Sequence, residues 1–189
     1  ICSGLVGSEM CIRDRRKCSR DTKGLMNLKE ESMAIGVGDQ IPDVVLKIMG
    51  PKGPEDISTS EIFDGKKVVL FAVPGAFTPT CSAAHLPGFV ASADKIKAKG
   101  VDSIVCVSVN DAFVMDAWGK SQNAEELMMI GDGNGEFSKA VGIEMDGTGF
   151  GLGMRSGRYS LIAEDGKVTV INLEKGGAFE VSSAEKILE

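Results

Sequence analysis

The sequence predicts an α/β domain in which a central mixed β-sheet is flanked by helices on both faces. Runs of apolar, β-branched residues alternate with segments whose apolar residues recur at helical spacing. The 189 residues suit one domain, and 43% apolar with 25% charged residues is a globular composition. These observations exclude gross disorder for most of the chain.

The first half of the predicted domain reads as strand, helix, strand, helix. Residues 67–73 (KVVLFAV) are apolar at nearly every position, as a strand buried on both faces of a sheet requires. Residues 83–99 carry apolar side chains at helical spacing, and Gly100 follows as a C-cap. A second buried strand is predicted at 102–109 and a short helix at 111–121.

The second half is predicted to close the sheet with a hairpin and a final helix. Its elements are a strand at 127–130, a helical turn at 137–141, strands at 158–163 and 168–173 joined by the turn Glu164-Asp165-Gly166, and a helix at 182–188 with Ser182 as its cap. The Gly-rich stretches 131–135 and 147–153 are expected to be surface loops. No internal repeat or long interior linker divides this region.

Residues 1–32 are predicted to be a leader outside the fold, which leaves 33–189 as the domain. They carry seven Lys or Arg and five Asp or Glu, and they lack the apolar run of a secretory signal. Two interpretations stay open: an organelle transit segment, or an artefact, since Leu5–Arg15 resembles translated adapter sequence. With Met33 as the native start the expected location is cytoplasmic; a genuine leader favours a plastid or mitochondrion.

Several classes of function are disfavoured by composition and motif. The net charge of −6 argues against non-specific nucleic-acid binding. The longest mostly apolar run, 68–77, is too short for a membrane span, which needs roughly 20 apolar residues. One His and the lack of any C-x-x-C pair argue against a zinc site, and neither phosphate-binding glycine motif occurs.

The segment VPGAFTPTC, residues 73–81, is the most informative part of the sequence. A predicted buried strand ends at Val73, a turn rich in Pro and Gly follows, and Cys81 stands where the next helix begins. Unpaired N–H groups and the helix dipole favour a thiolate at that position, and Thr78 can place its hydroxyl beside the sulfur. From these residues alone two interpretations remain, a reactive cysteine or a small buried hydrophobic residue.

The same segment resembles the active-site signature of the peroxiredoxins. Pro74, Thr78 and Cys81 match the pattern P-x-x-x-T-x-x-C. The strings at 73–89, 107–118 and 176–188 are similar to type II peroxiredoxins of the plant and algal branch. The resemblance covers residues 34–189 and implies a thioredoxin-like fold, reduction of hydrogen peroxide and organic hydroperoxides by a cysteine, and no metal or organic cofactor.

The resemblance also implies roles for individual residues. Cys81 would be the peroxidatic nucleophile, which attacks as a thiolate and becomes a sulfenic acid. Thr78 would hydrogen-bond the sulfur and a peroxide oxygen, and Pro74 would shield the thiolate from water. Arg158 would stabilise the thiolate and the negative charge on the departing oxygen.

Three neighbouring features have weaker assignments. Arg155 matches a second basic position, and a surface role is the alternative. Backbone N–H groups of residues 76–81 are expected to complete the cradle around the sulfur. His85 lies four residues after Cys81 on the same helix face, and we expect it to pack or hydrogen-bond beneath the site rather than act as the base.

Cys106 is the candidate resolving cysteine. It lies in the strand-like run IVCVSV, whose apolar neighbours suggest an inert, buried thiol unless the structure opens. Animal relatives carry a resolving cysteine near the C-terminus, but this chain has no Cys after 106. Either Cys106 resolves after local unfolding, or an external thiol from glutaredoxin, glutathione or thioredoxin attacks the sulfenate; the second route is favoured.

The resemblance further implies a homodimer that forms near the active-site helix, where Phe77, Phe113 and Trp118 could contribute apolar area. Phe113 and Trp118 could instead belong to the core.

Two other functions stay open. The chain could be a redox sensor or relay that passes on the oxidation of Cys81, or a non-catalytic module of thioredoxin fold. The intact set of Pro74, Thr78, Cys81 and Arg158 makes the module the weakest interpretation.

Overall fold

In residues 34–189, nine strands form a mixed seven-stranded sheet and a separate two-stranded pair. The structure, a computed structural model, describes residues 34–189, so the predicted leader and Met33 lie outside the described residues. The strands are β1 (Val45–Gly50), β2 (Gly53–Ser58), β3 (Lys67–Val73), β4 (Ser103–Ser108), β5 (Met128–Gly131), β6 (Glu144–Asp146), β7 (Met154–Ser156), β8 (Tyr159–Glu164) and β9 (Lys167–Leu173).

Five α-helices of the described part of the chain connect or flank these strands. They are α1 (Thr59–Phe63), α2 (Leu86–Ala98), α3 (Ala112–Ser121), α4 (Glu136–Ala140) and α5 (Ala184–Leu188). A π-helical turn at Cys81–His85 runs directly into α2, and a short 3₁₀ turn at Thr148–Phe150 lies between β6 and β7. None of the helices in residues 34–189 has the length and apolar character of a membrane span.

The strand order is β2-β1-β5-β4-β3-β8-β9, and β6 pairs with β7 alone. The three central strands, β3, β4 and β5, are parallel, while β8 runs antiparallel to β3. The parallel strands are connected through α2 and α3, as crossover connections require. The carboxyl ends of β3, β4 and β5 therefore meet at one edge of the sheet, which is where sites form in open α/β sheets.

Both faces of the sheet are covered by helices, which confirms the predicted architecture. Side chains alternate along β3, so Val68 and Leu70 pack into one apolar cluster and Val69 and Phe71 into the other. The first cluster includes α1 and α4, and the second includes α2, α3 and α5. The second cluster also contains Cys81.

The predicted central strands, the helices at 83–99 and 111–121, and the hairpin around Asp165 are confirmed within a few residues. The sequence did not indicate the β1–β2 hairpin or the β6–β7 pair. The strand β2 reads GPEDIS and is largely exposed at the sheet edge. Polar residues, Gly and Pro are tolerated there because one side of an edge strand has no partner, so apolar alternation was too weak to detect.

One predicted loop and one predicted helix cap were wrong. The stretch 131–135 is not a surface loop throughout, because Gly131 and Asp132 are buried. A Cβ atom on Gly131 would lie 2.7 Å from the backbone oxygen of Asn110, so only glycine fits this close approach. The last helix is capped by Ser183 rather than by Ser182, whose hydroxyl donates elsewhere.

The enclosed face of β3 makes a stability prediction. Phe71 is fully buried and stacks on Phe89 with ring centroids 4.0 Å apart. We expect Phe71→Ala to lower the free energy of unfolding by about 3–5 kcal/mol, because it leaves a cavity between the sheet and α2. Phe150→Ala is the matched control, since Phe150 is 87% exposed and its loss is expected to cost less than about 0.5 kcal/mol. Equal losses in urea unfolding would contradict the assigned core.

Candidate active site

A tight loop connects the end of β3 to the helix that carries Cys81. Pro74 and Gly75 are buried at its start. The Thr78 hydroxyl donates to the Gly75 carbonyl oxygen at 2.8 Å, and the Thr78 carbonyl accepts from the Ser82 N–H at 3.0 Å. The hydrogen bond expected between the Thr78 hydroxyl and the Cys81 sulfur is therefore absent from the described residues, because the hydroxyl donates to Gly75 instead.

The loop contains one strained residue. Phe77 has φ of 61°, in the left-handed region that a bulky side chain rarely adopts. Its side chain is 56% exposed and its ring lies 6.4 Å from the ring of Trp118. Strained backbone of this kind persists only where surrounding contacts hold it, and such positions cluster at functional sites.

Cys81 begins the π-helical turn and its side chain is fully buried. Pro79 and Thr80 are already helical, so Cys81 lies in the first turn of this helix. The next residue, Ser82, is held by Trp118, whose Nε1–H donates to the Ser82 hydroxyl at 3.1 Å. Trp118 is fully buried, so it belongs to the core, whereas Phe113 is 62% exposed.

Arg158 brings a positive charge to the sulfur. The antiparallel register pairs Tyr159 with Ala72, so the residue before β8 reaches the carboxyl end of β3. The NH1 atom of Arg158 lies 3.5 Å from the Sγ atom of Cys81, and Arg158 is only 5% exposed. Within residues 34–189 no carboxylate pairs with this guanidinium, and its Nε–H has no hydrogen-bond acceptor.

His85 lies directly behind the guanidinium. Its Nδ1 is 3.1 Å from NH1 of Arg158, and its Nε2 is 3.0 Å from the carbonyl oxygen of Ser182. Aromatic rings surround the imidazole, with centroid distances of 5.1, 5.6 and 4.9 Å to Phe71, Phe89 and Phe179. Burial, together with the charge of Arg158, lowers the pKa of His85 to about 4. The imidazole is therefore neutral at neutral pH.

Asn110 holds the loop from outside, and Arg155 holds the residue before Asn110. The Ala76 N–H donates to the Asn110 side-chain oxygen at 3.0 Å. This N–H therefore does not point at the sulfur, although the sequence predicts that it is part of the cradle. Arg155 donates from NH1 to the Val109 carbonyl and from Nε to the Leu152 carbonyl, both at 2.7 Å. Arg155 is half-buried, and its bonds join Val109, which follows β4, to the connection between β6 and β7.

The second thiol of the described residues, Cys106, is sealed in the core. It lies on β4 opposite Phe71 and is fully buried. Burial and the neighbouring Cys81 raise the pKa of Cys106 well above its ordinary value. Both thiols belong to the same apolar cluster, but the cation lies beside Cys81.

Sequence reasoning missed Asn110, Glu174 and Phe179. Asn110 follows the carboxyl end of a predicted buried strand, so the strand-end rule contained a signal for it. Glu174 follows β9 and accepts hydrogen bonds from three consecutive backbone N–H groups, and nothing in its local sequence pattern indicates this. Across residues 34–189 no group of three His, Cys, Asp or Glu side chains is arranged to hold a metal ion.

The lowered pKa of His85 predicts a pH-dependent loss of stability. The ordinary pKa of 6.5 applies to the unfolded chain and about 4 to the folded one, so the unfolded state binds the proton first as pH falls. Between pH 7.5 and 5.0 this costs about 2 kcal/mol. We expect urea unfolding to show that the wild type loses this much more stability than His85→Asn over the same range. Identical losses would contradict a neutral, buried imidazole.

The chain is similar to proteins of one family along its whole described length. Residues 36–188 match the family described as Redoxin. Peroxiredoxin-2E, chloroplastic, of Arabidopsis thaliana is 51% identical over 161 residues, covering 82% of this chain and 69% of that protein. Peroxiredoxin-2D of the same plant is 49% identical over 157 residues, covering 82% and 97%.

Solved structures agree with these relatives. The crystal structure of reduced Prx3 in complex with H₂O₂ from Vibrio vulnificus has 56% sequence identity and a TM-score of 0.79, and the match covers 82% of this chain and 97% of that one. Together with the thioredoxin-like arrangement of sheet and helices, these matches show that the chain belongs to the redoxin family and, within it, to the type II peroxiredoxins.

Proposed function

We propose that Cys81 is the nucleophile with which this chain, a peroxiredoxin and thus a thiol peroxidase, reduces hydrogen peroxide and organic hydroperoxides. One observation carries the proposal: the buried guanidinium of Arg158 has its NH1 atom 3.5 Å from the sulfur and no carboxylate partner among residues 34–189. An unpaired buried cation favours an anion beside it, and the group within reach is the thiolate of Cys81.

The reaction is a displacement at oxygen. The Cys81 thiolate attacks one peroxide oxygen, so an S–O bond forms as the O–O bond breaks. The sulfur is oxidised to a sulfenic acid, and the departing oxygen takes up a proton and leaves as water or an alcohol. Hydrogen peroxide is a supported substrate because the similar Vibrio vulnificus protein is described in complex with it.

Arg158 serves both ends of this displacement. Its NH1 donates to the sulfur, and its Nε–H, without an acceptor in the described residues, is available to a peroxide oxygen. Negative charge moves from sulfur to the departing oxygen during the reaction, so a fixed cation beside both atoms stabilises the transition state. The guanidinium carries several donors in a rigid plane, which suits it to two acceptors at once.

Thr78 and Pro74 shape the approach to the sulfur. The Thr78 hydroxyl donates to the Gly75 carbonyl, so its oxygen keeps lone pairs that can accept from a protonated peroxide. Pro74 is buried beside the loop and has no N–H to hydrate, which supports its role as a shield against water. Cys81 is fully enclosed, so small peroxides are better suited to reach it than bulky ones.

An external thiol is proposed to regenerate the enzyme. The thiol attacks the sulfenic sulfur and releases water, which leaves a mixed disulfide that a second thiol reduces. Cys106 is poorly suited to this step, because its thiol is fully buried and burial raises its pKa. Glutaredoxin with glutathione, or thioredoxin, supplies thiols of the required kind.

The proposed assembly is a homodimer. Phe77 and Phe113 leave apolar surface exposed near the active-site loop, although Trp118 is buried and contributes none. The proposed location is cytoplasmic for a chain that starts at Met33, and a plastid or mitochondrion for one with a genuine leader. The chloroplastic relatives of Arabidopsis thaliana and rice support the second alternative.

The cysteine assignments predict a clear difference between two Ser variants. We expect Cys81→Ser to lower peroxide turnover on the order of 10³-fold or more, because the nucleophile is removed. Cys106→Ser, the matched control, is expected to retain at least about half of the turnover driven by glutaredoxin and glutathione. Turnover is measured with this system and separately with thioredoxin. A loss in Cys106→Ser comparable to that in Cys81→Ser would show that Cys106 resolves.

The role of Arg158 is tested by a substitution that keeps the positive charge but removes the planar guanidinium. Arg158→Lys cannot hold His85 and the sulfur in the same geometry, so we expect kcat/KM for hydrogen peroxide to fall about 10²–10³-fold. Arg155→Lys is the control, since Arg155 donates to the carbonyls of Val109 and Leu152 rather than to the sulfur, and we expect a loss below about tenfold. Equal losses in the two variants would remove Arg158 from the catalytic set.

A further inference from the structure

Glu174 organises the segment that follows the last strand. One of its carboxylate oxygens, Oε1, accepts from the N–H groups of Glu180, Val181 and Ser182 at 2.7–2.8 Å and from the Ser182 hydroxyl at 2.9 Å. Its own N–H donates to the Arg158 carbonyl oxygen at 3.0 Å. The carboxylate is therefore tied at once to the C-terminal segment and to the backbone of Arg158.

Four hydrogen bonds to one oxygen explain why Glu174 is charged although it is only 8% exposed. Burial by itself raises the pKa of Glu174, and the bonds from the residues at 180–182 more than offset this, so the pKa lies below its ordinary value. Hydrogen bonds to a charged acceptor are about twice as strong as neutral ones. The segment at 180–182 is thereby held in one conformation.

This conformation fixes the tautomer of His85. The Ser182 carbonyl lies 3.0 Å from Nε2, and a carbonyl oxygen only accepts, so Nε2 carries the hydrogen. Nδ1 then holds the lone pair and accepts from NH1 of Arg158 at 3.1 Å. The two contacts agree, because a guanidinium only donates. The charged groups that act on the imidazole are Arg158 and Glu174.

We propose that Glu174 is a positioning residue that, through Ser182 and His85, aims the Arg158 guanidinium at the sulfur of Cys81. The inference rests on the proposed function of Cys81 as the nucleophile. The NH1 group has two hydrogens, one for Nδ1 of His85 and one for Sγ at 3.5 Å. Without the Glu174 carboxylate, the Ser182 carbonyl is no longer held beside Nε2. The imidazole is then free to change tautomer, and an Nδ1–H would point at the guanidinium.

The chain has a single His, so its imidazole ¹⁵N signals identify His85 without assignment. In the wild type we expect bare Nδ1 and protonated Nε2 from pH 5.5 to 8, the range above the pKa of about 4. In Glu174→Ala we expect a mixture of tautomers. Glu174→Gln keeps an accepting oxygen and is expected to restore the single tautomer. Nδ1–H in the wild type, or no change in Glu174→Ala, overturns the proposal.

The second readout is the reactivity of Cys81 itself. Alkylation by iodoacetamide is followed against pH on the Cys81 peptide by mass spectrometry, which separates it from the other four cysteines. For Glu174→Ala we expect the midpoint of the profile to rise by about one pH unit. The control Ser183→Ala removes the cap of α5 and leaves the hydrogen bonds of Glu174 intact, so its profile is expected to match the wild type. An unshifted midpoint in Glu174→Ala overturns the proposal.

Neither readout requires peroxide turnover, so the two proposals fail separately. If the Glu174 variants change both readouts while the wild type does not turn over peroxide, the proposed function is contradicted and the positioning role is supported. Should Glu174→Ala not fold, Glu174→Asp withdraws the carboxylate by one methylene and keeps its charge. It is expected to show the same two changes at smaller size, and wild-type behaviour in both readouts overturns the proposal.

Discussion

The guanidinium of Arg158, buried beside the sulfur of Cys81, is the interaction on which the rest of the site depends. A charged group removed from water without an opposite charge is costly. No carboxylate of residues 34–189 compensates it, and NH1 lies 3.5 Å from Sγ. A thiolate at this position would offset the cost, which is the basis on which Cys81 is proposed as the reactive cysteine.

The fold brings this pair together from positions 77 residues apart. The parallel strands β3, β4 and β5 end at one edge of the sheet, and the chain turns there into the helix of Cys81. The antiparallel register of β8 against β3 delivers Arg158 to the same edge. Asn110 holds the intervening loop from the neighbouring strand end, and Arg155 ties the adjacent Val109 to the connection between β6 and β7.

The two buried thiols have different surroundings. Cys81 and Cys106 lie in one apolar cluster and both are fully buried. Burial alone disfavours a thiolate, and for Cys106 nothing opposes it. Cys81 instead has the guanidinium of Arg158 beside its sulfur and lies in the first turn of its helix. The neutral imidazole of His85 supports the cation without adding a competing charge.

The sequence alone determined the central strands, the main helices and the place of Cys81 at the start of a helix, because apolar spacing and the PGAFTPTC turn are properties of neighbouring residues. It missed the polar edge strand β2 and misassigned Ser182 as a cap. Only the tertiary structure decided that Glu174 holds the C-terminal segment against His85, whose partner Ser182 lies 97 residues away. Hydrogen bonds over such separations depend on strand order and register, which local periodicity does not encode.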